Sequence, residues 1–150
     1  MQDFNSKTAF ITGGGSGVGL GIAKAFAKEG ANIVIGDIQT DRLENAEQEL
    51  RKITDAVLSI EVDTTDLAAL QNTSDRINAH FGPVSVLCNN AGIGGGGKVL
   101  DTPEEKWRRV TEVNLWGPLN GVRAFLPGML ERGTPGHIIN TASFSGIQGH

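Results

Sequence analysis

Apolar and polar positions alternate along the chain between two periods. Short apolar runs at residues 8–11, 31–37, 56–62, 84–88 and 137–141 have the length and bounding residues of buried strands. Between them the spacing turns helical. Ile22, Ala23, Phe26 and Ala27 share one face, Leu43, Ala46, Leu50 and Ile53 a second, and Leu70, Ile77 and Phe81 a third. Trp107, Val110, Asn114 and Gly117 recur in the same way, which predicts that Asn114 points with an apolar stripe and is buried. Asp41 and Asp66 read as N-caps, and Thr102-Pro103-Glu104-Glu105 as a capping box with proline at the first helical position. Pro118 and Pro127 interrupt the helix that follows, so a kink just after Asn114 is expected.

Strands that alternate with crossover helices predict an α/β fold, a parallel sheet with helices on both faces, as one domain over residues 1–150. The pattern contains no linker or repeat. The glycine run at residues 94–97 is either a mobile loop at the ligand edge of the sheet or a plain connection.

Composition narrows the function classes. With 150 residues and 39% hydrophobic content the chain can bury one sizeable core. A net charge of −4 argues against nucleic acid as a partner, and Arg108-Arg109 reads as a solvated face. A single cysteine, Cys88, excludes an internal disulfide framework, fits a reducing compartment and looks like a strand filler. Residues 1–7 carry no apolar signal region and no stretch approaches a membrane span. The expectation is a soluble, cytoplasmic protein with no membrane partner.

Chemistry enters at Thr12-Gly13-Gly14-Gly15-Ser16-Gly17-Val18-Gly19. A strand that turns through glycines into a helix brings backbone N–H groups and the positive helix end to an anion, and side chains at the tight positions would keep a pyrophosphate away. Asp37, twenty positions after Gly17, ends the second strand, where a carboxylate accepts hydrogen bonds from an adenosine ribose. It would repel a 2′-phosphate, and Ser16 offers no basic side chain to pair with one, which favours NAD over NADP. An Asp at a strand end is also an ordinary turn or cap residue.

The glycine turn, Asp37, Asp63, Asn89-Asn90-Ala91-Gly92, Val113-Asn114 and Ser143-x-x-Gly146 occur in the order seen in the short-chain dehydrogenase/reductase family, which the chain resembles over its whole length. The resemblance implies a Rossmann-type doubly wound sheet of strand order 3-2-1-4-5. It implies NAD(H) on Gly13, Gly15, Ser16, Gly17, Val18 and Gly19, with Asp37 and Ile38 at the ribose and Asp63 near the adenine. Asn90, Ala91 and Gly92 would lie beside the cofactor, and no metal is expected. Ser143 would hydrogen-bond the substrate carbonyl or hydroxyl, its register favouring it over Ser145, although a turn serine is the plain alternative. Asn114 would hold a proton-relay water, or simply tie its helix to a neighbouring backbone. The substrate would be a small alcohol or carbonyl compound, and the assembly a homodimer or homotetramer.

The family's general acid/base, a tyrosine in a Tyr-x-x-x-Lys segment beyond that serine, has no counterpart, since the sequence contains no tyrosine. His150 is out of register, and His80 and His137 read as surface residues next to turns. The expectation is the N-terminal portion of a longer enzyme that contacts the cofactor without useful turnover. A non-catalytic NAD(H)-binding or interaction module shares the same motifs. A methyltransferase fits poorly, because it explains neither the 89–92 turn nor Ser143.

Overall fold

The computed structural model describes residues 3–95 and 97–144. Five strands, β1 (Thr8–Thr12), β2 (Asn32–Asp37), β3 (Val57–Glu61), β4 (Val84–Asn89) and β5 (His137–Asn140), form one parallel sheet in the order β3-β2-β1-β4-β5. The order reverses at β1 and β4, so their carboxyl ends open a crevice. Helices α1 (Gly17–Lys28), α2 (Thr40–Leu50), α3 (Leu67–Phe81), α4 (Glu104–Thr111) and α5 (Gly117–Glu131) connect the strands.

Successive strand residues face opposite sides, which splits the core in two. Ile11, Ile33 and Ile35 pack with Ala23 of α1 and Leu43 of α2. Phe10, Val34 and Ile60 pack on the other face with Leu70 of α3 and Phe125 of α5. The rings of Phe10 and Phe125 meet at 4.8 Å between centroids.

Asp66 caps α3, accepting the Ala69 N–H at 3.0 Å. Asp41 is not a cap: α2 starts at Thr40 with Gln39 in the capping position, so Asp41 lies in the first turn. Ile53 also falls outside the second stripe, since α2 ends at Leu50 and Ile53 is exposed. The capping box at residues 102–105 does not form. Pro103 is itself the N-cap of α4, and the Thr102 hydroxyl donates backward to the Lys98 carbonyl at 2.8 Å.

The long fourth helix is broken where the kink was expected, by a π turn at Glu112–Trp116 in which the Gly117 N–H reaches the Glu112 carbonyl. The turn sets Pro118 in the first turn of α5, where a proline has no intrahelical N–H to lose. The apolar stripe predicted through it is not there. No residue of α4 is buried, Trp107 is 47% exposed, and Asn114 is exposed. Among the described residues no helix is long and apolar enough to cross a membrane.

Candidate functional site

The carboxyl ends of β1, β4 and β5 are stitched together by side chains. The Thr12 hydroxyl accepts the N–H groups of Asn90 and Ala91, each at 3.0 Å, and donates to the Cys88 carbonyl. The Asn90 amide returns two bonds, to the carbonyls of Thr12 at 3.1 Å and Gly13 at 3.4 Å, and its oxygen accepts the Thr141 hydroxyl. Buried Asn89 donates to Asn140 of β5 and to the Pro118 carbonyl, a group at the bulged helix start. A buried amide needs such partners, and these make the 89–92 turn rigid.

Against this frame the glycine turn is packed with no spare room. A Cβ at Gly19 would stand 2.2 Å from the Gly13 carbonyl oxygen, and one at Gly13, whose φ is +63°, would stand 2.9 Å from the Ala91 Cα. At Gly17, by contrast, a Cβ would meet nothing within 4 Å. Closed below and open above, the turn forms the floor of a cleft of about 390 Å³. Ser16 stands at the N-cap of α1 without a side-chain cap bond, leaving first-turn N–H groups directed at the cleft.

Asp37 stands at the far wall. Its two carboxylate oxygens accept the Gly15 N–H at 3.2 Å and the Gln39 N–H at 3.1 Å. Asp63, just beyond β3, accepts both the N–H and the hydroxyl of Thr65 on one oxygen and faces Arg109 of α4 at 3.4 Å with the other. Burial pushes the Asp63 carboxyl up, but the Thr65 donors and the Arg109 charge outweigh it and hold it below the ordinary carboxylate value. Burial alone pushes the Cys88 thiol up to about 11, in keeping with a strand filler.

Of the residues singled out from the sequence, Gly13, Ser16, Gly17, Val18 and Gly19 line the cleft. Asp37, Ile38 and Asp63 line it too, as do Asn90, Ala91 and Gly92. Gly15 stands behind Asp37. Asn114 and Ser143 are not in its lining. Asn114 is exposed, not buried: it accepts the Ile93 N–H and donates to the Ile93 carbonyl, both at 2.9 Å, tying its helix to the segment after β4. Ser143 is exposed beyond the end of β5, and Ser145, Gly146 and His150 lie outside the described residues. Within the 94–97 glycine run Gly96 also lies outside them.

Several lining residues carried no sequence signal. Arg42, Thr64, Thr141 and Arg109 reach the cleft through tertiary placement. Arg109 corrects the reading of Arg108-Arg109 as a solvated face: Arg108 pairs within its own helix with Glu104, but Arg109 crosses to Asp63. Among the described residues no cluster of His, Cys, Asp and Glu could hold a metal ion.

A family model described as short chain dehydrogenase matches residues 7–150. The chain belongs to the short-chain dehydrogenase family. It is 41% identical over 142 residues to the Mycobacterium tuberculosis protein named "Probable oxidoreductase EphD", covering 95% of this chain and 24% of that one. It is 37% identical over 150 residues to a C alpha-dehydrogenase of Sphingobium sp., covering 99% of this chain and 49% of the relative. A short chain dehydrogenase/reductase from Burkholderia phymatum, solved in complex with NAD, superposes with a TM-score of 0.96 at 36% identity, over 100% of this chain and 53% of that one. This short-chain dehydrogenase chain therefore spans about half or less of the relatives' length. Its sheet order and flanking helices are those of the family's Rossmann-type fold.

Proposed function

We propose that the chain is the NAD(H)-binding domain of an oxidoreductase that interconverts a small secondary alcohol and the matching ketone. The observation that carries the cofactor preference is the Asp37 carboxylate at the cleft wall, held by the Gly15 and Gln39 N–H groups. Each oxygen keeps a lone pair for a ribose hydroxyl, and the negative charge disfavours a phosphate at the 2′ position. The glycine floor fits a pyrophosphate, since it is closed to side chains at Gly13 and Gly19 and open at Gly17. Asp63, which lines the same cleft, would lie near the adenine. The NAD-bound Burkholderia structure and the relatives named as dehydrogenases support this reading.

When bound, the nicotinamide accepts or donates the hydride. Asn90, Ala91 and Gly92 line the cleft and would flank the nicotinamide. Ser143, past β5 at the carboxyl edge of the sheet, is proposed to orient the substrate oxygen. Asn114 is proposed as a positioning residue: its bonds to Ile93 fix the segment after β4, and one remaining amide hydrogen and lone pair are available to a relay water. Because the sequence has no tyrosine, these 150 residues supply cofactor contact and not the proton transfer.

The test is a titration of NAD⁺ and NADP⁺ against wild type and Asp37→Ala. Loss of the carboxylate should shift the affinity ratio toward NADP⁺ by about tenfold or more. An unchanged ratio would remove Asp37 from the ribose site.

A further inference from the structure

The segment between β3 and α3 carries Asp63 and Thr64 into the cleft, yet it belongs to neither element. The Val62 N–H still reaches the Asp37 carbonyl at 2.9 Å. Beyond it, the carbonyls of Thr64 and Thr65 stand outside both the sheet ladder and the helix. Carbonyls so placed need partners from elsewhere in the fold. One side chain serves both. The Asn120 amide nitrogen donates to each at 3.2 Å, from a position on α5 that is 5% exposed. Gly117, three residues earlier, lets Thr64 approach: a Cβ there would stand 2.9 Å from the threonine hydroxyl oxygen. Helix α5 is the rigid partner in this contact, since Phe125 packs it against Phe10 of β1.

Holding those carbonyls fixes more than the backbone. Thr65 supplies the N–H and the hydroxyl that hold one Asp63 oxygen, at 2.9 and 2.8 Å. The other oxygen meets Arg109 at 3.4 Å, but the two side chains are 43% and 40% exposed, so water screens that tie. The contacts therefore run from Asn120 to Thr65 to Asp63, with a buried amide at one end and a cleft carboxylate at the other. We propose that Asn120 is a positioning residue for the adenosine half of the cofactor: through Thr64 and Thr65 it sets where the Asp63 carboxylate meets the adenine. The inference rests on the reading of Asp63 as an adenine neighbour. General support of the cleft is the competing role, because Gly121 beside it packs on Asn89, next to the 89–92 turn. That role would act on the nicotinamide end as much as on the adenosine end.

The experiment is calorimetric titration of the protein with NAD⁺ and with ADP, which has the adenosine half and no nicotinamide. The variants are Asn120→Leu, Asp63→Asn and the two combined. Leucine keeps roughly the volume of the amide and removes its donors. Asn120→Leu should weaken NAD⁺ and ADP alike by about five- to tenfold, the worth of one hydrogen bond. On top of Asp63→Asn the same change should cost less than about twofold, since it acts through a carboxylate no longer there. Asn120→Gln, which keeps both donors, should recover part of the loss. Losses that add in full would make Asn120 a general support and overturn the proposal. So would a loss for NAD⁺ that ADP does not share, or no loss at all. If Asp63→Asn leaves both ligands unchanged, the adenine reading of Asp63 fails and takes the proposal with it; full addition on top of a real Asp63 effect sinks the proposal alone. Should Asn120→Leu not fold, Asn120→Ser leaves room for water on the two carbonyls and carries the same comparison.

Discussion

The two sides of the sheet differ sharply in how they are covered. Strand β1 is buried at all of its 5 positions, with helices on both faces, whereas no position of β5 is buried. Ile138 of β5 still packs with the α3–α5 core, but Ile139, one residue on and facing the opposite way, is 42% exposed. It borders an open groove on the α1 side with Ile22, Phe26 and Cys88. Parallel strands are stable when both faces are covered. The β1–β2–β3 region meets that condition inside this chain, and the β5 edge meets it on one face only. The glycine floor, Asp37 and Asp63 all stand on the well-covered side, while Ser143 follows the bare edge.

Substitutions should expose this gradient. The largest effect is expected for Phe10→Ala, which removes a ring that is 0% exposed and packed on Phe125. It should cost about 3–5 kcal/mol in denaturant unfolding of the 150-residue chain. Gly19→Val comes next: its Cβ collides with the Gly13 carbonyl, so about 1–3 kcal/mol of stability should go, together with detectable NAD⁺ binding by calorimetry. Thr12→Val keeps the shape but strips the acceptor from the Asn90 and Ala91 N–H groups, at an expected cost of about 2 kcal/mol on the same unfolding curve.

Asp63 gives a smaller, pH-dependent signature. Its folded carboxyl sits below the ordinary value, so its contribution is present above the unfolded value of about 4 and is lost as pH falls through the folded one. Thermal unfolding followed across acid pH should therefore fall less steeply for Asp63→Asn than for wild type. The side chain is 40% exposed, which screens the pair and keeps the change modest. Smallest of all, Ile139→Ala should cost less than about 1 kcal/mol in this chain, because little apolar surface is withdrawn from water there. A cost as large as that of Phe10→Ala would erase the contrast between the two sides.

What the sequence revealed follows the same divide. Strand positions and the Asp66 cap depend on local period and turn chemistry and were readable from neighbouring residues, whereas the sheet order came from the family resemblance. The glycine turn and Asp37 were readable too, because spacing along one strand-turn-helix unit fixes their place. The failures were tertiary. Asp41 has the right residue type for a cap, but Gln39 takes the position because the Asp37 carboxylate already holds its N–H. Pro103 takes the N-cap of α4, which leaves the Thr102 hydroxyl one residue outside the capping position and turned to Lys98. Arg109 and Arg42 became cleft residues only once α4 and α2 were docked, and no pattern in their own helices marks them. Asn114 was misread because helical spacing was carried straight through a turn that is not α-helical.

That π turn acts as an angular spacer. An α-helix advances about 100° per residue, so one residue inserted or removed between 112 and 116 would rotate everything before it by that angle relative to α5. Phe125 and Gly121 hold α5 against the sheet, so the rotation would fall on α4. Arg109 would then swing away from Asp63, and the wall of the cleft would open. Substitutions at the exposed Glu112, Leu115 and Trp116 should be tolerated, whereas single-residue insertions and deletions should not. Beyond the buried Val113 and the Asn114 amide, the constraint on this stretch of chain is one of length.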